Sequence, residues 1–586
     1  MKGFFNSILL LDLDEGESRR FSPGNDVYRR WLGGKGLATY LLHRLLKEGV
    51  DPLSGENIII FTPGIAAGSL PGTSRYSVHA KSPLTMGYGE SYSGGSLAPA
   101  FKAAGYDALV ITGRSPKPVY LVVTPDGVSI EDASSLWGLS TYEAEDEVLR
   151  EVGEKKARAL TIGPAGENQV RFASIGNDYW RNAGRGGMGA VMGSKKVKAI
   201  VFYGDMEAEW GSPDGLQGFS KSLREKGVNN PGVEGFRKYG TLKMAKVLNH
   251  LHGFPSRYWT SGSAEDIEKI SADYLVEEMD ARPKACRNCF IACGKLARVK
   301  KGPHKGLEIE GPEYETVFAF GGLCAIQSLE EIAHLNDLCD RLGMDTITTG
   351  SLIALVMEAG HRGIIDEGIE YGDATKAEEL IRDMAAKKGL GAVLAEGVRR
   401  ASHKLGIPDL AVHVKGLDLP GYDPRLLKGM SLAYGTSSRG ACHLRATYYV
   451  AELTGKSPDD PRDKVRDFID YEDRLTLFDS IIMCKFYRDL IPWEDIKKCI
   501  TALTGVDYTL DQLREIAGRI ATAARAFNYR EGMDMGEDYL PERLYMEKVK
   551  DRRVSREEHL RMLREYYRQR GWSQEGEPKK DKSLSP

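Results

Sequence analysis

Cysteine is scarce in this chain, with eight among 586 residues, too few for a disulfide-stapled scaffold of this size. Net charge is lacking too: 80 basic side chains face 83 acidic ones, leaving −3. No global bias points to nucleic acid or to a membrane surface. Long hydrophobic runs are also missing. The N-terminus, MKGFFNSILLLDLDEG, has an apolar stretch of about seven residues, broken by Asp12 and Asp14, where a spanning helix needs about 20. That stretch reads as a β-strand and not as a signal peptide, so a cytoplasmic protein with no membrane partner is expected. No Walker sequence and no internal repeat is present.

What is there is ordinary in bulk, with 41% hydrophobic and 28% charged residues, as in soluble globular proteins. The length exceeds one core and calls for several domains. Residues 1–206 are rich in glycine and in short β-type runs, such as SILLLDL, NIIIFTPG, ALVITG, VYLVVTPDGVSI and VKAIVFYGD. After 207, SLEEIAHLNDLCDRLGM, KAEELIRDMAAKKG and LDQLREIAGRIATAARAF space apolar residues for helices. The expected fold class is α+β and multidomain. A β-rich N-terminal domain (1–206) precedes two mostly helical ones (207–414 and 415–586). The polar tail from Ser573 is expected to fray.

Three of the cysteines lie close together, Cys286, Cys289 and Cys293 in KACRNCFIACGK. A Cys-x2-Cys-x3-Cys run lets one loop aim its thiols at one point, as an iron–sulfur cluster with one distant cysteine requires. Structural zinc uses closely spaced thiols as well, and three unrelated buried thiols would also fit. Cys484, in FDSIIMCKF, is one candidate for the fourth ligand. By spacing alone Cys324, Cys339, Cys442 and Cys499 serve equally, and most lone cysteines are small core residues.

GRGGMGAVMGSKK contains Gly-x-Gly-x-x-Gly at Gly184, Gly186 and Gly189. The next strand follows too soon for the full helix of a dinucleotide fold. The surviving reading is a glycine-rich backbone which, with Arg181 and Arg185, cradles an anion. WLGGKGLATYLL, GTSRYSV with Arg75, and ESYSGG extend that reading to a ligand with several phosphates, although tight turns are the commoner use of such glycines. EIEGPEYET sets Glu310, Glu313 and Glu315 beside an apolar run, where a carboxyl with a raised pKa can move protons. The plainer reading of each is a solvated strand edge. His443 sits between small residues and Arg445. Asp340 and Asp345 lie in CDRLGMDTITTG, whose outline FDSIIMCK repeats from Asp479, as if for two handles on a pseudo-symmetric ligand.

Together these segments resemble the tungsten-containing aldehyde:ferredoxin oxidoreductase family. The match runs in order through LGGKGLATYLL, AKSPLTMGYGE, GRGGMGAVMGSKKVKAI, CRNCFIACGK, GPEYET, DRLGMDT and REYYRQRGW. The resemblance implies a bis-pyranopterin tungsten cofactor, with molybdenum as the alternative metal and Mg2+ as a candidate bridge between pterin phosphates. It implies one [4Fe–4S] cluster on Cys286, Cys289, Cys293 and Cys484. Pterin contacts map to Arg75, Gly94, Gly95, Arg185 and Gly186. Two further motifs map to Asp340, Gly343, Met344 and Asp345, and to Asp479, Met483 and Cys484. The sequence departs from the family pattern at Ile482, where glycine is usual, and at Tyr92, where asparagine is. The family's acid/base glutamate maps to Glu315, with Glu313 as the competitor, and its active-site histidine to His443. Glu331 and His334 have the Glu-x-x-His form that bridges some dimeric members through a metal. The implied reaction is oxidation of an aldehyde to a carboxylic acid, with electrons passed to ferredoxin or to a small iron–sulfur subunit. Two alternatives stand: an aromatic acyl-CoA reductase-type catalytic subunit of the same fold, and a zinc-stapled structural protein.

Overall fold

The computed structural model describes residues 1–366 and 368–579. Among the described residues, twelve strands between Ile8 and Phe202 form two six-stranded sheets. The first holds β1 (Ile8–Asp12), β2 (Glu17–Phe21), β3 (Ile59–Thr62), β4 (Tyr76–Lys81), β5 (Tyr88–Ser93) and β6 (Ala108–Thr112), in the order β2-β1-β6-β3-β4-β5. The second holds β7 (Val119–Thr124), β8 (Gly127–Asp132), β9 (Arg158–Thr161), β10 (Ile175–Asn177), β11 (Arg181–Ala183) and β12 (Val197–Phe202), in the order β11-β10-β9-β12-β7-β8. The pairing is antiparallel except where β1 meets β6 and β12 meets β7.

Side chains alternate across a strand, and that period builds the layers. Leu9, Leu11, Phe61, Val78 and Leu109 of the first sheet share one core with Leu121, Leu160 and Ile200 of the second. On the first sheet's other face, Ile8, Ile60 and Val110 pack with Leu37, Leu41 and Phe527. The second sheet's outer face, with Tyr120, Ala159 and Val201, packs with Val148 of helix Thr141–Val152. Strand β2, ESRRF, is largely exposed, and its charges blunt that edge. The opposite edge, β5, is almost wholly buried, since β11 and helix Leu510–Arg530 close over it.

From Pro213 onward helices dominate, as the sequence predicts. The three patterned segments form helices Leu329–Leu342, Ala374–Ala386 and Leu510–Arg530. Their ends follow side-chain chemistry: Ser328, Asp373 and Thr509 each accept a backbone N–H of the first turn. A three-stranded antiparallel sheet interrupts this part, with β13 (Arg282–Lys284), β14 (Gly294–Arg298) and β15 (Glu308–Glu310). The finer division at 206 and 414 is our proposal. Strand β12 ends at Phe202 and the next helix begins at Pro213, while one core collects side chains from Leu84 to Tyr567 across both divisions. The tail departs from the fraying expected of it. Arg525 Nε donates to the Gly576 carbonyl at 3.2 Å and Tyr529 donates to the Glu575 carbonyl, so Glu575 and Gly576 are tied to helix Leu510–Arg530. Residues 580–586 lie outside the described residues.

Candidate cofactor and active site

The cysteine run is the connection of a hairpin. Residues 285–293 join β13 to β14, whose facing ends Lys284 and Gly294 are paired. The loop turns through left-handed corners at Asn288 and Ala292 and is clamped to the N-terminal sheets. Ser74 Oγ donates to the Arg287 carbonyl at 2.7 Å, the Arg287 N–H reaches the Gly95 carbonyl at 3.3 Å, and Asn288 Nδ2 donates to the Gly68 carbonyl at 3.1 Å. Cys484 comes from the far side, its N–H bonded to the Gly72 carbonyl at 2.8 Å. Cys286, Cys289, Cys293 and Cys484 are partly exposed and line one cavity of about 310 Å³. Cys324, Cys339, Cys442 and Cys499 are buried and line no part of it. Burial pushes the Cys293 and Cys484 thiols up, so metal loading must displace protons. Gly94 is needed by close approach: a Cβ there would lie 2.9 Å from Cys286 Sγ and 3.1 Å from Arg75 Nη1. Among the described residues no three His, Cys, Asp or Glu side chains converge on one ion, the arrangement mononuclear zinc requires; a cubane spreads its thiolates over four corners.

A second cavity of about 570 Å³ adjoins the first, sharing Arg75, Tyr92, Glu313, Glu315 and Cys484 in its walls. Strand β15 leads directly into the glutamates, so one small sheet positions both thiols and carboxyls. Glu315 lies in a single helical turn, Tyr314–Thr316, that runs on into a π-helix, Val317–Leu323, a form frequent at functional sites. Its Oε2 accepts the Gly421 N–H at 3.0 Å, and its Oε1 stands 3.5 Å from His443 Nδ1. Neither that Oε1 nor that Nδ1 has a hydrogen-bond partner, although both are buried. Burial pushes the Glu315 carboxyl up to about 8, against the Gly421 N–H and the Arg185 guanidinium. Burial, and then the cations Arg185, Arg439, Arg445 and Lys485, hold the His443 imidazole well below its ordinary value. Near neutral pH the pair is a carboxylic acid beside an uncharged imidazole. Glu313 accepts from the Thr241 hydroxyl instead and lines the same two cavities.

Of the residues the sequence offers as pterin contacts, Arg75, Gly94, Arg185, Asp340, Asp345, Asp479 and Met483 line one cavity or the other, whereas Gly95, Gly186, Gly343 and Met344 do not. Arg185 is already engaged, by Asp345 at 3.2 Å and by the carbonyls of Ala441 at 3.1 Å and Asp418 at 2.7 Å. It therefore fixes the loop that carries His443. Asp345 caps helix Thr346–His361. Arg75 has no side-chain hydrogen bond or ion pair among the described residues. Sequence reasoning missed Glu90 of β5, fully buried between Lys35 at 3.1 Å and Arg445 at 2.9 Å. It missed Lys485, 2.8 Å from Asp479, and Arg439, whose Nη2 donates to Cys442 Sγ at 3.0 Å. The signal available was an acid in the polar run YGESYS, which no apolar pattern marks.

Two family models cover nearly the whole chain: aldehyde ferredoxin oxidoreductase, N-terminal domain, over residues 8–204, and aldehyde ferredoxin oxidoreductase, domains 2 and 3, over 219–584. The chain belongs to the aldehyde ferredoxin oxidoreductase family. It is an oxidoreductase, which displaces the zinc-stapled structural reading. It is 37% identical to a tungsten-containing aldehyde ferredoxin oxidoreductase of Pyrococcus furiosus over 99% of this chain and 98% of that one. It is 36% identical to one of Thermococcus kodakarensis over 100% and 98%. The solved active-site complex of benzoyl coenzyme A reductase with 1,5-dienoyl-CoA has the same fold, with a TM-score of 0.85 at 24% identity over 98% of this chain and 96% of that one.

Both departures from the aldehyde ferredoxin oxidoreductase pattern have a structural account. Tyr92 donates to Glu90 Oε2 at 2.7 Å and lies beneath the Arg445 guanidinium, 4.8 Å from its ring centre. Ile482 occupies the left-handed corner at φ 55° where glycine is usual, and fills space left by Gly34 and Gly64.

Proposed function

We propose that the protein oxidises aldehydes to carboxylic acids, RCHO + H2O → RCOOH + 2 e⁻ + 2 H⁺, at a bis-pyranopterin tungsten cofactor. A [4Fe–4S] cluster would pass the electrons to a ferredoxin in the cytoplasm; a dedicated small iron–sulfur subunit is the alternative acceptor. The observation that carries this reading is the Glu315–His443 pair, with its two unpartnered atoms, in the wall of one cavity that adjoins, at Glu315 and Cys484, the cavity lined by the four thiols. The residues fit such a cofactor. Asn182 Oδ1 and Arg439 Nε, in the cavity walls, are buried without hydrogen-bond partners, and a pterin with amide edges and phosphates offers partners for groups of these kinds. Arg75, Arg185 and Asp479 would hold the pterins, and Cys286, Cys289, Cys293 and Cys484 the cluster.

When bound, tungsten would supply two-electron redox chemistry and Lewis acidity, and the cluster single-electron transfer. The protein's own part is positioning and proton movement. His443, uncharged, donates a hydrogen bond to the aldehyde oxygen and stabilises the charge that develops there. Glu315, 3.5 Å away, takes and returns the proton. Tyr422 packs against the imidazole with ring centres 5.5 Å apart and holds its plane. Arg185 anchors the His443 loop. Glu331 and His334 are each engaged within the chain, Glu331 with His304 and His334 with Glu378, both at 2.9 Å. A metal-bridged homodimer would have to displace those partners, and Mg2+ between pterin phosphates stays a proposal drawn from the family alone. Among the described residues no helix is long and apolar enough to cross a membrane.

The test is anaerobic metal analysis of the purified protein, with aldehyde-dependent reduction of a viologen dye. We expect about four iron atoms per chain, about one tungsten or molybdenum, and dye reduction with aldehyde. Zinc without iron would overturn the cofactor assignment. Inert aldehydes, with benzoyl-CoA consuming reduced dye, would move the reading to acyl-CoA reduction.

A further inference from the structure

We propose that the aldehydes this site takes best carry an anionic group, in the simplest case a carboxylate, at the end remote from the carbonyl, seated between Lys243 and Arg488. The proposal rests on the aldehyde-oxidising reading above and names its substrate class. The larger cavity, about 570 Å³, is walled by Phe236, Met244, Tyr449 and Leu453 and carries Lys243, Arg488 and Asp489 as well as His443. The two cations belong to another end of it. Arg488 and Asp489 are the charges that act on Lys243, whereas Arg185, Arg439, Arg445 and Lys485 act on His443. Gly232 and Asp489, beside Lys243, are exposed, so this end is the outer one.

Several buried cations of the chain have a carboxylate close by: Lys35 has Glu90, Lys102 has Asp107, Lys198 has Glu167 and Arg525 has Asp538. Lys243, half-buried, has none among the described residues, and Arg488 has only a distant one. Lys243 Nζ lies 3.6 Å from the centre of the Phe236 ring and 3.4 Å from the Gly232 carbonyl, and among the described residues no carboxylate is within ion-pair reach of it. Arg488 is buried, gives Nη1 to the Lys485 carbonyl at 2.9 Å, and leaves Nε without a partner. Its one ion pair is with Asp489 at 3.8 Å, a side chain that is 58% exposed. Burial, and then Arg488, push the Lys243 amine down. Two neighbouring cations at the mouth of an apolar channel are relieved by an anion that bonds to both. A neutral aldehyde would leave them facing each other.

The experiment compares kcat/KM for benzaldehyde and 4-carboxybenzaldehyde, which differ only in the remote group, on the cofactor-loaded enzyme. Calorimetric binding of the products benzoate and terephthalate is measured beside it. The wild type should prefer the carboxylated aldehyde and bind terephthalate more tightly. Lys243→Met should lower that preference about tenfold or more, the size of one charged hydrogen bond, and Lys243→Arg should restore it. Arg488→Met is the companion, with Lys243→Met keeping the test sound if it folds poorly. An unchanged preference in Lys243→Met, or none in the wild type, overturns the anion seat and leaves aldehyde oxidation standing. Failure to oxidise either aldehyde, with iron and tungsten at full content, overturns the aldehyde reading and the seat with it.

Discussion

Two chain reversals flank the candidate site, and they share a backbone without sharing a residue. Helix Leu329–Leu342 ends at Gly343, with φ 75° and ψ 56°, and helix Pro461–Ile481 ends at Ile482, with φ 55° and ψ 56°. Each is closed by the next methionine: Met344 N–H to the Cys339 carbonyl at 2.9 Å, Met483 N–H to the Phe478 carbonyl at 2.8 Å. At the first corner glycine is required, since a Cβ on Gly343 would lie 2.8 Å from the Gly163 nitrogen. At the second, a β-branched residue bears a left-handed strain of about 1–2 kcal/mol. Its partners supply the room instead, for a Cβ on Gly34 or Gly64 would come within 2.8 or 2.9 Å of Ile482. The acids three positions earlier differ as well. Asp340 is held by the amides of Asn182 at 2.8 Å and Asn336 at 2.7 Å, and burial pushes its carboxyl well up. Asp479 lies between Arg445 at 2.9 Å and Lys485 at 2.8 Å. A repeated outline thus gives a repeated fold with two different electrostatic settings.

The largest test of that contrast is at the last position of each motif. Cys484→Ala should remove the cluster, with iron content falling toward zero and the spectrum of the reduced cubane lost, whereas Asp345→Ala should keep its iron. Equal iron in both variants would break the assignment of Cys484. Next come the acids. Asp479→Asn strips a carboxylate from two buried cations and should destabilise by about 3–5 kcal/mol. Asp340→Asn, among amides, should cost about 1–2 kcal/mol. Equal shifts in denaturant midpoint would erase the distinction. The corners give the smallest effects. Gly343→Ala adds left-handed strain to a backbone clash and should cost about 2 kcal/mol or more. Ile482→Gly loses buried packing but relieves strain, for a net loss of about 1 kcal/mol. A stabilised Ile482→Gly variant would show that Gly34 and Gly64 do not compensate for the strain.

The outline of the fold was legible because its strands and helices are written in apolar periodicity. The runs SILLLDL, NIIIFTPG, ALVITG, VYLVVTPDGVSI and VKAIVFYGD became β1, β3, β6, the β7–β8 hairpin and β12. Strand β5, YGESYS, carries no such mark, because Glu90 and Ser93 are buried through ion pairs and a hydrogen bond rather than through apolar contact. The same reason hid Glu90, Lys485 and Arg439. The cysteines were legible as a run, yet the distance that brings Cys484 to them is set by tertiary packing, and spacing alone left five candidates. Glu315 and Glu313 looked alike in EIEGPEYET. They separate once Gly421 and His443 face one and Thr241 the other.

The central claim, that Glu315 moves the proton beside His443, is tested most directly by Glu315→Gln. The substitution keeps shape and removes the titrating group, so kcat should fall roughly 10²- to 10⁴-fold, with iron and tungsten at wild-type content. Glu315 gains its charge on passing about pH 8, so wild-type kcat should climb with pH through that value, and the variant should lack the inflexion. Glu313→Gln, read in the same assay, should be mild. An active Glu315→Gln enzyme beside an inactive Glu313→Gln one, each with its metals in place, would contradict the account.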